Sequence, residues 1–184
     1  MLSAFGLEPR LDPRPLLLLD LDGTVRHCWD DVVPGFVNEV EDVVVYVKAL
    51  VRMREWNRRG GRIVACSNQG GIALGHLSMD TAAAILRETN TQCGDLFDAM
   101  LICNHHPDAD DPAMRRCWCR KPQPGMLVEA AMTMAIRYPG TFCPISKTVF
   151  VGDRPEDRYA ADRAGVDFLD AQAWRDGASY DRWL

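Results

Sequence analysis

Short apolar runs alternate with longer segments in which apolar residues recur at helical spacing. "PLLLLD" (15–20), "RIVACSN" (62–68), "AMLICN" (99–104), "TVFVGD" (148–153) and "VDFLD" (166–170) each read as a short buried strand. Helix patterns fill the intervals. In the first, Val43, Tyr46, Val47, Leu50 and Met53 share a face, Lys48, Arg52 and Glu55 face away, and Gly60–Gly61 supplies a stop. The second starts at Ser78, an N-cap, and runs through "TAAAILRETN"; the third starts at Pro124–Gly125 and ends before Pro139–Gly140; the fourth runs from near Pro155 to Gly165.

Strands alternating with helices imply a parallel sheet covered on both faces, because a parallel crossover needs a connection of helix length. Ligands in such sheets bind beyond the carboxyl ends of the strands. Those ends carry Asp20, Ser67–Asn68, the Cys103 to His106 stretch and Asp153, so polar chemistry gathers on one edge.

The 184 residues suit one domain, and 47% hydrophobic with 26% charged residues is the composition of a folded globular chain. The start, "MLSAFGLEPRLDPRP", has no basic region followed by an apolar one, and Asp20 cuts short the run from Leu16; the expectation is a cytoplasmic protein with no membrane partner. Seven cysteines fit metal ligation or free thiols in a reducing compartment better than a disulfide framework. A net charge of -5 argues against broad nucleic-acid binding.

"LLLLDLDGTV" sets two carboxylates two residues apart where a buried strand meets a turn; Gly23 lets the chain bend and Thr24 offers a hydroxyl. Two such carboxylates stay ionised together only beside a cation, or one takes up a proton, and either state serves phosphoryl transfer. "VFVGDRPED" repeats the arrangement. Asp153 can complete a hard-oxygen site for Mg2+, and Asp157 follows one helical turn on. No G-x-x-x-x-G-K-[ST] run is present to hold a nucleotide.

Asp20-Leu21-Asp22-Gly23-Thr24, Ser67-Asn68, Lys121, and Gly152-Asp153 with Asp157, in that order, resemble the four motifs of the haloacid dehalogenase superfamily of phosphatases. The resemblance implies a three-layer Rossmann-like sandwich with a central parallel sheet and no cap domain. It also implies that Asp20 attacks phosphorus and forms an aspartyl-phosphate, while Asp22 protonates the leaving oxygen and later deprotonates water. Mg2+ is then held by Asp20, the backbone carbonyl of Asp22 and Asp153. Ser67 and Lys121 bind the phosphoryl oxygens, with Asn68 beside Ser67 among the substrate-binding candidates. Thr24 and Asp157 support, Asp157 by orienting the metal shell or Lys121.

Cys103, His105, Cys117 and Cys119 come from the two ends of one loop as C-x-H and C-x-C, spacing that suits a closed tetrahedral and therefore structural Zn2+ site, with His106 as an alternative to His105. Cys28, Cys66, Cys93 and Cys143 lack such spacing and read as small apolar fillers. The loop runs into Arg120-Lys121-Pro122-Gln123-Pro124-Gly125-Met126, a run similar to that of the D-glycero-D-manno-heptose 1,7-bisphosphate phosphatases and their relatives, the histidinol-phosphate phosphatase domains. That resemblance implies a small phosphorylated substrate, a single domain over 1–184 with its zinc loop at 103–119, and a monomer. Arg120 and Arg154 become candidates for a second phosphate or a sugar oxygen.

Leu21, Arg26 and Leu74 depart from the heptose phosphatase pattern, in which a basic residue stands between the aspartates, an Asn follows shortly after the Gly, and the second motif is basic. A polynucleotide 3'-phosphatase is the alternative, with Arg52, Arg54, Arg58, Arg59 and Arg62 as its basic patch. An alternative of another class is a noncatalytic zinc-bearing interaction module.

Overall fold

The computed structural model describes residues 12–27 and 37–184. Five parallel strands form the central sheet: β2 (Leu16–Leu19), β3 (Arg62–Asn68), β4 (Ala99–Cys103), β6 (Thr148–Gly152) and β7 (Asp167–Asp170), in the order β4-β3-β2-β6-β7. β2 lies at its centre, pairing Leu19 with Ala65 on one side and with Val151 on the other.

Alternation along β2 explains the layers. Leu17 and Leu19 point to one face, where α1 (Val47–Arg58) and α5 (Ala171–Arg175) supply Met53, Trp56 and Trp174. Leu16 and Leu18 point to the other, where α3 (Gly125–Arg137) and α4 (Pro155–Ala164) supply Met126, Leu127 and Ala160. All four leucines are fully buried, each contributing about 1.5–3 kcal/mol of burial free energy. The result is the three-layer sandwich with a central parallel sheet. Among the described residues no separate cap domain is inserted between its elements, and no helix is long and apolar enough to cross a membrane.

The later helices begin where their caps predict. Ser78 accepts a hydrogen bond from the Thr81 backbone to open α2 (Met79–Gln92), and α4 ends on Gly165 in the left-handed conformation. The first helix differs from expectation. It starts only at Val47 and buries Ala49, Met53 and Trp56, while Val47 itself is 77% exposed. Val43 is buried but precedes the helix, and Val45 bridges to Arg26: the β-branched run Val43-Val44-Val45 takes the extended path that stiff side chains favour. Two further features had no periodic signal: a small sheet pairing β1 (Asp12–Pro13) with β5 (Thr141–Phe142), and the tail that packs Trp174, Tyr180 and Trp183 into the core.

Cys66 and Cys93 are fully buried, and burial pushes both thiols up to about 12, which suits apolar fillers. Cys143 is partly buried against the core cluster that contains Leu16 and Leu18. Cys28 lies outside the described residues.

Candidate active site

Asp20 directly follows β2, and its backbone N–H still donates to Val151, so the sheet fixes where the residue stands. The chain then coils tightly. The Leu21 carbonyl accepts from the backbone N–H groups of Thr24, Val25 and Arg26, and Gly23 donates to the Arg26 carbonyl. Leu21, between the two aspartates, is fully buried in the core with Leu17 and Leu19. Gly23 has φ +82°, and a Cβ there would overlap the Asp153 carboxylate.

Asp153 follows β6 and accepts from the Thr24 hydroxyl at 3.4 Å. At the start of α4, Asp157 Oδ2 accepts from the Arg154 backbone at 3.0 Å, the back half of a capping box. Carboxylate oxygens of Asp20, Asp153 and Asp157 lie within 4.8 Å of one another, a hard-oxygen donor set of the kind that suits Mg2+.

Lys121 reaches this cluster from the loop after β4. Its Nζ stands 2.5 Å from Asp20 Oδ1 and 2.7 Å from Asp157 Oδ1, all three residues being at least nine-tenths buried. Asn68 clamps the backbone beneath it: its Nδ2 donates to the Lys121 carbonyl and its Oδ1 accepts from the Lys121 N–H, both at 3.0 Å. Burial raises the Asp20 carboxyl above the ordinary aspartate value, helped by Asp157 and Asp22, while Lys121 opposes the shift. Burial also works against the Lys121 ammonium, but Asp20 and Asp157 outweigh it and hold the lysine above its ordinary value.

Asp22 turns to other partners. Its Oδ1 accepts from Arg26 Nε at 2.7 Å and its Oδ2 from Gln69 Nε2 at 3.2 Å; the same Gln69 nitrogen donates to Ser67 Oγ at 2.9 Å. Arg26 extends on to the hydroxyl of Thr89 in α2.

Asp20, Asp22, Ser67, Lys121 and Asp157 floor a cleft of about 530 Å³, whose walls include Asn68, Leu74, His76, His106, Arg120 and Arg154. Arg120 Nη1 donates to the His105 carbonyl at 2.9 Å, and a Cβ on Gly70 would press on both His106 and Arg120. Arg154, the N-cap of α4, comes within 4.0 Å of Glu156. Every residue singled out for catalysis, phosphate or metal is thus on one edge of the sheet. Sequence reading passed over His76, Gln69 and Thr89; the partner of Gln69 and Thr89 is Asp22, directly or through Arg26.

Beside the cleft, Cys103 Sγ lies 3.6 Å from Cys117 Sγ, 3.2 Å from Cys119 Sγ and 3.6 Å from His105 Nδ1, and Cys119 Sγ is 3.5 Å from that nitrogen. A tetrahedron with Zn–S bonds of about 2.3 Å has S···S edges of about 3.8 Å, so the donor set fits a zinc ion. His105 provides the nitrogen. His106 instead lines the cleft, 3.7 Å from Asp108. Burial pushes Cys103 and Cys119 up, whereas Cys117, despite burial that acts the other way, is drawn down by the Arg120 backbone N–H and its neighbouring thiols.

Comparison with known proteins agrees with this geometry. A family profile described as HAD-hydrolase-like matches residues 118–169. The D-glycero-beta-D-manno-heptose-1,7-bisphosphate 7-phosphatase of Photorhabdus laumondii is 31% identical over 156 residues, covering 83% of this chain and 77% of that protein. Its Escherichia coli K12 counterpart is also 31% identical, covering 83% and 75%. Among solved structures, a HAD-like phosphatase of Mesorhizobium loti superposes with a TM-score of 0.72 at 30% identity, covering 85% of this chain and 71% of that one. The D,D-heptose 1,7-bisphosphate phosphatase of B. bronchiseptica, complexed with magnesium and phosphate, gives 0.67 at 28% identity, covering 84% and 78%. The chain therefore belongs to the haloacid dehalogenase-like phosphatases, in the group that holds these heptose bisphosphate enzymes.

Proposed function

We propose that this phosphatase is a Mg2+-dependent phosphomonoesterase that works through an aspartyl-phosphate on Asp20 and acts on a small phosphorylated sugar, a heptose 1,7-bisphosphate in the first instance. The observation that carries the reading is the trio of Asp20, Asp153 and Asp157 oxygens within 4.8 Å, with Lys121 2.5 Å from Asp20, where Asp20, Asp157 and Lys121 line a cleft large enough for a sugar phosphate. The sugar rests on what the relatives' names say of them, and on the B. bronchiseptica enzyme's magnesium and phosphate.

Asp20 attacks phosphorus with one carboxylate oxygen, and the bond to the sugar oxygen breaks. Asp22 gives that oxygen a proton and then takes one from the water that hydrolyses the aspartyl-phosphate. Asp20, Asp153 and the Asp22 carbonyl would hold Mg2+, which would supply the positive charge that offsets the repulsion between the anionic nucleophile and the phosphoryl group. Lys121 and Ser67 bind the equatorial oxygens. Asn68 acts by holding the Lys121 backbone, and Asp157 by holding its ammonium. Arg120 and Arg154 face the remainder of the substrate, and the zinc clip sets the path by which Arg120 and Lys121 enter.

The polynucleotide reading finds little support among the arginines of α1 and the start of β3: Arg52, Arg59 and Arg62 are paired with Glu55, Asp181 and Asp98. The test is a kcat/KM panel with Mg2+ over heptose 1,7-bisphosphates, other sugar phosphates, histidinol phosphate and 3'-phosphorylated oligonucleotides. A sugar bisphosphate is expected to lead. Preference for the oligonucleotide would overturn the substrate, and full activity of Asp20→Asn would overturn the nucleophile.

A further inference from the structure

Arg26 is fully buried and is engaged at both ends. Nε donates to Asp22 Oδ1 at 2.7 Å, and Nη1 donates to Thr89 Oγ1 at 2.8 Å; Thr89 in turn donates to the Ile85 carbonyl within α2. The second terminal nitrogen, Nη2, is buried with no hydrogen-bond partner among the described residues. Such an arrangement contributes little to stability, since desolvating a guanidinium and a carboxylate can cost as much as their attraction returns. What it does provide is direction. The guanidinium is planar and its donors are fixed in a fork, so anchoring one end on a helix fixes where the other end puts its carboxylate.

We propose that Arg26 is a positioning residue for the phosphatase reaction: gripping Oδ1 of Asp22, it aims the carboxyl so that Oδ2, beside the cleft-lining Gln69, meets the leaving oxygen of the substrate. The inference rests on the reading of Asp20 as nucleophile and Asp22 as its acid and base. As an Asp20 oxygen bonds to phosphorus, the ester P–O bond breaks and its electron pair stays on the alcohol oxygen, which takes the Asp22 proton. Water then bonds to phosphorus and returns a proton to Asp22, and the Asp20–phosphorus bond breaks to restore the carboxylate. Each transfer needs the Asp22 oxygen within hydrogen-bond reach of a particular atom. A carboxyl released from Arg26 keeps only the longer 3.2 Å bond from Gln69 to Oδ2, a single contact that no longer fixes its direction, and loses that aim. α2 follows directly on the 69–78 segment, several of whose residues line the cleft, so the Thr89 anchor also ties Asp22 to the element that carries that wall.

Two esters separate aim from simple structural damage. An alkyl phosphate needs its leaving oxygen protonated; p-nitrophenyl phosphate does not. With the Mg2+-loaded protein, Arg26→Met is expected to lower kcat/KM for the alkyl ester by about a hundredfold, the size of a general-acid contribution. For p-nitrophenyl phosphate kcat/KM should hold, while kcat falls and a burst of p-nitrophenolate appears because hydrolysis of the phosphoenzyme is slowed. Arg26→Lys should recover part of the alkyl ester rate, and Arg26→Met added to Asp22→Ala should cost nothing further. Equal loss of kcat/KM on both esters, or none on either, would overturn the proposal. Should Arg26→Met not fold, Thr89→Val, which removes only the far anchor, is expected to give the same selective loss in smaller measure, and an unselective loss there overturns it equally. Asp20→Asn is run alongside: if it still turns over both esters, the nucleophile assignment has failed, whatever Arg26 does.

Discussion

Lys121 Nζ lies 2.5 Å from Asp20 Oδ1, although 101 positions separate the two residues in the chain. Only the sheet's topology and the loop after β4 can bring them together. The ammonium shares itself with Asp157, so one buried cation balances two buried carboxylates, and removing it leaves both uncompensated. Lys121→Met is therefore expected to lower kcat/KM at least about a hundredfold, as lost stabilisation of phosphoryl charge does. It should also destabilise the metal-free protein by about 3–5 kcal/mol, the usual result of stripping one partner from a buried pair. Denaturant unfolding in EDTA, beside steady-state kinetics in Mg2+, checks both.

The same cluster makes stability depend on pH. Burial raises the Asp20 carboxyl from 3.8 to about 7 in the metal-free fold, so between those values the folded state binds more protons than the unfolded one. The contribution of Asp20 is then fully present below pH 3.8 and is lost as pH rises through about 7. Asp20→Asn cannot titrate. In EDTA the stability of the wild type relative to Asp20→Asn should fall from pH 5 to pH 8, and Mg2+ should flatten the slope; a wild type that gains on the variant with rising pH would contradict the assignment.

Much of this was legible before any coordinates. The four-leucine run of β2 declared a strand buried on both faces, and the acids at its end and at the end of β6 marked the functional edge. Capping chemistry placed α2, α3 and α4. What stayed hidden was set by tertiary contacts. That Arg26 grips Asp22 depends on a loop folding back on itself and on Thr89, 63 positions away. Asn68 reads as a ligand-facing residue because it adjoins Ser67, yet its amide goes to the Lys121 backbone. Val43 and Val47 fit a helical period by coincidence, yet the first helix begins only at Val47, and of the two only Val43 is buried.

Gly23 offers a test of the turn itself. Its φ of +82° costs any other L-residue strain, and the Asp153 carboxylate occupies the space a Cβ would need. Gly23→Ala should therefore destabilise the protein by at least about 1 kcal/mol through the backbone alone. The sharper consequence concerns Asp153, which must move aside. Titration calorimetry should show weaker Mg2+ binding in Gly23→Ala than in wild type, while zinc content stays the same; unchanged Mg2+ affinity would mean that Asp153 is not among the ligands.

The cysteine–histidine cluster and the floor of the cleft can be separated by metal chemistry. Four donors close the site and leave no open position, so protein purified without added metal should carry about one zinc per chain. Cys119 stands one residue before Arg120 and two before Lys121, and the Arg120 backbone N–H donates to Cys117 Sγ at 3.2 Å, so the clip bears directly on the segment that delivers the lysine. Cys119→Ser is expected to lose most of the zinc, to lower the thermal midpoint, and to raise KM as Arg120 loses its seat. Residual kcat should persist in excess Mg2+, because Asn68 still clamps the Lys121 backbone from β3. If stripping zinc instead abolished turnover while leaving the thermal midpoint unchanged, the ion would have to act at the reaction centre, and a structural role for the cysteines would be wrong.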